Sequence, residues 1–314
     1  MILTEGLYKQ FDDFVAVRGI DLHVPKGEIL ALLGPNGAGK TTTVRMLASI
    51  LRPTRGRAWI AGHDVVKEAV TVRRLVGVLT ETPGLYGRMR AREYLRFFGE
   101  LQGMPRAAID VRSEQLMAQF GMDGVWHLRL GEYSKGMRQK MALIRTLLHD
   151  PPVLLLDEPT SAMDPHSAKQ VRDAILTLRS ADRAIIICTH NLAEAELIAD
   201  RIAIIRRGEI VARGSATQLK RDLLGAPILE VRTANPLNGA RRLIDDLIQI
   251  EAEGDTWLRY RTETPEQVNP LLIDRLSRAG YRVVTLSEVP RPLEEVYLQV
   301  VEKQSSMEEV RQTQ

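Results

Sequence analysis

The sequence predicts an α/β fold organised around a phosphate-binding loop. An N-terminal antiparallel β part precedes that loop, and a small second α/β unit follows the core. Three observations carry this. Residues 34–42, Gly34-Pro35-Asn36-Gly37-Ala38-Gly39-Lys40-Thr41-Thr42, satisfy G-x-x-x-x-G-K-[ST] between an apolar run and a helical pattern. Residues 153–158 read VLLLDE, four apolar positions ending in two carboxylates. Strands and helices alternate along the chain except over 91–149, where the pattern is mainly helical.

The loop is justified by its chemistry. Glycines admit backbone torsions that turn successive N–H groups inward and make a concave anion site. The following helix N-terminus adds its dipole and unpaired donors. Glu28 to Leu33 (EILALL) predicts the strand before the loop, and Thr41 to Leu51 the helix after it. Lys40 is placed to reach outer phosphates, and the Thr41 hydroxyl to ligate Mg²⁺.

Upstream, residues 2–8 and 20–24 predict short strands around a loop. Phe11 lies 29 positions before Lys40. An aromatic there either stacks on a nucleotide base or packs in the core. Downstream, Arg57–Ala61 and Val76–Leu79 predict strands, and 80–86 (TETPGLY) a loop marked by Pro and Gly. Residues 91–102 predict a helix with Tyr94, Leu95, Phe98 and Leu101 at helical spacing. Arg88, Arg90, Arg92 and Arg96 crowd it, as either a solvated face or a partner surface. A second helix is expected over 105–121. Ser134 is a good N-cap for a third, running to about His149.

A buried strand ending in Asp157 is how P-loop enzymes hold Mg²⁺, and Glu158 can serve as general base for a water. Residues 165–180 predict a helix and Ala184–Cys188 a strand ending near Thr189-His190. His190 there sits at the ligand edge of an open sheet or is structural. Residues 201–214 predict a hairpin about Arg207-Gly208, and 215–224 a short helix. Gly225-Ala226-Pro227 marks a boundary. Beyond it, 228–233, 257–262 and 281–287 predict strands. Helices are expected over 237–250, 265–279 (or starting at Asn269-Pro270) and 291–302. The domains expected are therefore 1–224 (helical subdomain about 91–149), 226–303, and a flexible polar tail over 304–314.

Composition narrows the function classes. The chain has 314 residues, with 44% hydrophobic and 26% charged, an ordinary globular balance. A net charge of +3 is too small to argue for nucleic acid. The single cysteine, Cys188, excludes an intramolecular disulfide and a cysteine-based metal site. It falls in an apolar run and reads as core. No apolar run is long enough to span a membrane, and the N-terminus lacks signal-peptide features. A membrane role would therefore need another chain for the membrane part.

In order and spacing, these motifs make residues 1–220 resemble the nucleotide-binding subunit of ABC transporters, a P-loop NTPase core with an inserted helical subdomain. GPNGAGKTT matches the P-loop and VLLLDE the second Walker motif. SAMD at 161–164 resembles the D-loop, and S-x-G within YSKGMRQK (133–140) the family signature. His190 matches the switch histidine, and Phe11 the adenine-stacking aromatic. The resemblance implies that Asn36, Gly37, Gly39, Lys40, Thr41 and Thr42 hold ATP phosphates, with Thr41, Glu81 and Asp157 toward Mg²⁺. Glu158 would polarise the attacking water, and His190 would contact the γ-phosphate. Ser134 and Gly136 would reach ATP held by the other subunit. A homodimer or heterodimer of ATPase subunits is implied, beside a separate transmembrane permease subunit at the cytoplasmic face of the membrane. No nucleic acid is expected.

Glu81 stands where the family usually has Gln. Tyr133, Lys135 and Met137 stand for Leu, Gly and Gln, and Met163 for Leu. The first departures, with the 226–302 extension, resemble the ABC-2-type branch serving drug or polysaccharide exporters. The helix over 91–102 is then expected to meet the permease through Tyr94 and Phe98. A soluble ABC ATPase acting on DNA or ribosomes is the alternative. Against it, only 94 positions separate Lys40 from Ser134, without sustained heptads. A different P-loop enzyme would leave the signature segment unexplained, and no N-K-x-D guanine motif occurs.

Overall fold

Alternate residues of the central strands face two different cores. In the computed structural model, which describes residues 1–82, 84–161 and 163–300, Leu154, Leu156, Ile185 and Ile187 join one apolar cluster. Val153, Leu155, Ile186 and Cys188 join the other. Side chains in a strand alternate between faces, so a strand covered on both sides must be apolar throughout. That is why Ile29–Leu33 and Val153–Asp157 read as unbroken apolar runs.

These strands form a six-stranded sheet. Its order is Glu209–Gly214, Arg201–Arg206, Ile29–Leu33, Ala184–Thr189, Val153–Asp157, Val76–Leu79. All neighbours are parallel except the outer hairpin 201–214. That hairpin turns through Arg207 (φ 49°) and Gly208 (φ 85°). One face packs against helices Ala91–Leu101, Arg106–Gln119, Lys135–Leu147 and Pro165–Thr177, which contribute Tyr94, Leu95, Ile109, Leu116, Leu143 and Val171 to that cluster. The other face packs against helix Lys40–Leu47 and an antiparallel sheet carrying Ile2, Leu7, Val17 and Ile60.

The N-terminal reading needs correction. The hairpin runs from Ile2–Phe11 into Phe14–Ile20, and His23–Val24 is a separate short strand. The turn is the dipeptide Asp12-Asp13, with Asp12 at φ 45°. Asx residues tolerate that region, so no long loop is needed. Two short helices, Ala69–Leu75 and Leu192–Ile198, were not expected.

The chain divides into two compact units, Met1–Ala216 and Thr217 onward. The second begins with helix Ala216–Leu224 (all but its first residue) and contains a four-stranded antiparallel sheet. The sheet order is Gln249–Gly254, Trp257–Arg261, Ile228–Thr233, Val283–Glu288. With helices Arg241–Ile244 and Pro265–Arg278 this is a β-α-β-β-α-β arrangement. The helix expected over 237–250 is wrong. Only four residues are helical, and 249–254 pairs with 257–261 as a hairpin. Cross-strand pairing overrides the helical spacing there. The next helix starts with Pro265 in its first turn and continues through Pro270. Residues 293–300 are helical. The proposed tail, 304–314, lies outside the described residues.

Candidate functional site

Four segments reach one edge of the parallel sheet. The P-loop leaves Leu33, Asp157 ends its strand, His190 follows Thr189, and Glu81 follows Leu79. Leu33 is in register with Thr189, Asp157 with Cys188, and Leu79 with Leu156. Carboxyl ends of parallel strands are where open α/β sheets bind ligands.

Two glycines are required by close approach. A Cβ on Gly34 would lie 2.2 Å from the Ile205 carbonyl oxygen. Gly39 caps the helix at φ 107°, and a Cβ there would lie 2.5 Å from the Ala16 carbonyl oxygen. Between them Asn36 and Gly37 are exposed. The next residue, Lys40, is buried. Its Nζ donates to the carbonyl oxygens of Gly34 (2.6 Å) and Pro35 (3.2 Å). It also lies 3.7 Å from Glu158 Oε1. Thr41 Oγ1 donates to Asp157 Oδ2 at 2.7 Å, and Thr42 is half-buried beside it.

Asp157 and Glu158 occupy different environments. Asp157 is 3% exposed, and its Oδ1 has no hydrogen-bond partner. Burial pushes its carboxyl up from the ordinary value, against the Thr41 bond and the Lys40 charge. The Glu81 charge acts in the same sense as burial, so Glu81 is within electrostatic reach of Asp157. Glu158 has left the strand, with φ 50°. Its N–H donates to the Cys188 carbonyl at 2.9 Å. His190 Nδ1 donates to its Oε1 at 2.8 Å. Cys188 is fully buried, as its apolar run implied, and burial raises its thiol pKa well above the ordinary value.

The other expected residues make different contacts. Phe11 is 42% exposed at the hairpin turn, with Lys9 Nζ 4.8 Å above its ring, so it is not a core aromatic. Ser134 caps helix Lys135–Leu147, accepting from Met137 N–H at 3.3 Å. Gly136 neighbours Ser167 and Met163. Among the described residues no hydrogen bond or ion pair joins Phe11, Ser134 or Gly136 to the P-loop. The signature helix does touch the carboxylate loop, where Gln139 Nε2 donates to the Pro159 carbonyl at 3.1 Å. Tyr133 is buried and its hydroxyl donates to the Val125 carbonyl at 3.1 Å, so the hydroxyl it adds over Leu is satisfied.

One expectation about the 91–102 helix changes. Tyr94 is fully buried and its hydroxyl accepts from Arg145 at 2.9 Å, so it is a core residue. Apolar groups at the surface here are Tyr86, Phe97 and Leu101. Arg92 and Arg96 pair with Asp110, and Arg92 also with Glu114, which fits a solvated face.

Sequence reasoning missed Glu194. It is 2% exposed and accepts from Thr160 Oγ1 at 2.5 Å and Thr189 Oγ1 at 2.8 Å. Its N–H donates to the Asn191 side chain at 3.1 Å. The N-x-x-E spacing of Asn191 and Glu194 is a capping-box signal that could have marked this helix start.

Comparison with known proteins gives this geometry its context. The ABC transporter family model matches residues 17–161. The chain is 37% identical over 302 residues to the daunorubicin/doxorubicin resistance ATP-binding protein DrrA of Streptomyces peucetius, covering 95% of this chain and 91% of that protein. This chain belongs to the ABC transporter family. It is 32% identical over 295 residues to the Nod factor export ATP-binding protein I of Rhizobium sp. (strain N33), covering 94% and 95%. A solved ATP-binding subunit of an ABC transporter superposes with a TM-score of 0.67 at 28% identity, covering 72% of this chain and 94% of that one. This ABC protein is therefore an ATP-binding and ATP-hydrolysing transporter subunit. Among the described residues no helix is long and apolar enough to cross a membrane.

Proposed function

We propose that this ABC ATPase drives export through a separate transmembrane permease, as one of two ATPase subunits that close around ATP at the cytoplasmic face of the membrane. The observation that carries the chemistry is the meeting of Lys40, Asp157, Glu158 and His190 at one sheet edge. On ATP binding, Lys40 exchanges its loop carbonyls for outer phosphates, and the P-loop N–H groups, with Asn36, Gly37, Gly39 and Thr42, cradle them. Phe11, exposed, stacks on adenine. Glu158 accepts the proton of the attacking water. His190, held on Glu158, faces the γ-phosphate. Ser134 and Gly136, which make no hydrogen bond to their own P-loop among the described residues, serve ATP bound by the partner.

The residues present fit Mg²⁺. Thr41 Oγ1 and Asp157 supply hard oxygen ligands, and the buried, unpaired Asp157 Oδ1 is a carboxylate atom in want of a cation. Mg²⁺ is commonly held by one or two protein oxygens together with phosphates and waters. Bound there, it would neutralise phosphate charge. Glu81 would lie within reach of it.

Export is supported by the Nod factor export relative, which matches along nearly the whole chain. We assign the permease surface to Tyr86, Phe97 and Leu101, supported by their exposure and by a neighbouring cavity of about 230 Å³ lined by Ile50, Arg73, Phe98, Gln102, Arg145 and His149. Action on DNA or ribosomes is not favoured. Helices Ala91–Leu101 and Arg106–Gln119 have 11 and 14 residues, so no long coiled coil is inserted.

The test is recovery of tagged Glu158→Gln protein, with ATP and Mg²⁺, from gently solubilised source membranes. A multi-span membrane protein in stoichiometric amount supports the reading. Ribosomes, DNA-bound factors or no membrane partner would overturn it.

A further inference from the structure

We infer that Glu194 is a positioning residue for ATP hydrolysis, tying the loop that carries Glu158 to the loop that carries His190. Glu194 sits on neither loop but on the helix Leu192–Ile198 that follows. One carboxylate oxygen accepts from Thr160, two residues after Glu158. The other accepts from Thr189, the residue before His190. Thr189 Oγ1 in turn accepts from the Asn191 N–H at 3.0 Å, and Asn191 caps the Glu194 N–H. No cation pairs with Glu194 among the described residues, so its burial is offset by these two hydroxyl donors. A carboxylate buried with only hydroxyl partners is costly to move, because either loop can shift only by leaving an oxygen unpaired.

The loop needs such an anchor. Glu158 holds φ 50°, a region rarely adopted by a residue with a side chain. The turn is also held by the Glu158 N–H to Cys188, a 3.2 Å bond from Ser161 N–H to the Glu158 carbonyl, a 3.3 Å bond from Met163 N–H to the Thr160 carbonyl, and Gln139 on Pro159. Glu194 fixes the far side of that turn to the strand end beside His190. The Glu158–His190 separation of 2.8 Å is then set by the scaffold before nucleotide arrives. Catalytic groups held in place in advance need no reorganisation at the moment of reaction.

This rests on the roles proposed for Glu158 and His190. The test uses purified full-length protein and steady-state ATP hydrolysis, with ATP affinity and melting temperature measured alongside. Glu194→Ala and Thr160→Val are expected to lower kcat at least about tenfold while ATP affinity stays within about twofold. Glu194→Gln is expected to recover most of the rate, because a threonine hydroxyl can accept from an amide as well as donate to its oxygen. Should Glu194→Ala fail to fold, Thr160→Val carries the test, since it removes one link with little change in volume. Unchanged kcat in Thr160→Val, or a lower melting temperature without a kcat defect, would overturn the inference. So would failure of Glu194→Gln to recover the rate. Glu158→Gln is assayed in parallel. Wild-type turnover there removes the base assignment and the inference with it, whereas slow turnover there beside a normal Thr160→Val removes the inference alone.

Discussion

His190 and Glu158 share a hydrogen bond of 2.8 Å, and the same Glu158 oxygen lies 3.7 Å from Lys40 Nζ. Two segments distant in sequence, one carrying Lys40 and one carrying His190, therefore converge on one carboxylate oxygen. His190 is half-exposed while Glu158 is buried, so the histidine covers the carboxylate from the solvent side. Replacing His190 by Ala opens that side and frees the Glu158 side chain. ATP turnover is expected to fall about 100-fold with ATP binding retained, read by steady-state kinetics beside equilibrium nucleotide binding.

Asp157 illustrates a site held against stability. Its buried Oδ1 is unpaired, and burial raises its pKa. A carboxyl whose folded pKa lies above its unfolded value (about 4) costs nothing while protonated in both states. The cost grows as pH rises from the unfolded value through the folded one, and is full above that. Asp157→Asn is therefore expected to stabilise the nucleotide-free protein by about 1 kcal/mol at pH 7 and by less near pH 4, while abolishing hydrolysis. Melting temperatures of both proteins across pH 4–7 check the sign.

Tyr133 stands where the family signature has Leu. Its ring is buried and its hydroxyl bonds the Val125 carbonyl, with burial pushing the phenol up to about 12. Tyr133→Phe is expected to cost about 1 kcal/mol in chemical denaturation, from one lost bond, while the Val125 carbonyl keeps its bond from the Leu128 N–H at 3.2 Å. ATP turnover should be unchanged, because the hydroxyl points into the helical core.

Two of the aromatics on helix Ala91–Leu101, Tyr94 and Phe97, separate packing from partner contact. Tyr94→Ala empties a fully buried position and is expected to destabilise by about 4 kcal/mol. Phe97→Ala, at a residue 39% exposed, should change stability by less than about 1 kcal/mol. If the permease binds here, that variant loses co-purification with the membrane protein while retaining soluble ATPase activity. Denaturation and membrane pull-down on the same pair of variants distinguish the effects.

The legible parts of the chain were those with local chemistry. The P-loop, the VLLLDE strand end, the Ser134 cap and the Arg207-Gly208 turn each depend on residues within a few positions of one another, and the structure has them where the spacing put them. The helical spacing of 237–250 is misleading because Gln249–Gly254 is a strand only through its pairing with Trp257–Arg261. Tyr94 lies on a helical stripe, and helical spacing marks a stripe without saying what covers it. Glu194 escaped notice because its two partners lie 34 and 5 residues away in sequence.

The sequence by itself determined the family, the phosphate-loop motif and the pair of carboxylates ending the VLLLDE run, since each is written in contiguous residues whose backbone geometry and side-chain chemistry are local. Only the tertiary structure decided which groups meet. The strand order sets Ala184–Thr189 between Ile29–Leu33 and Val153–Asp157, and so brings His190 onto Glu158 and Thr41 onto Asp157. It also left Asp157 Oδ1 buried without a partner and closed Thr160, Glu194 and Thr189 into one network. The physical reason is that burial and hydrogen-bond satisfaction depend on packing between distant segments, which no local pattern records.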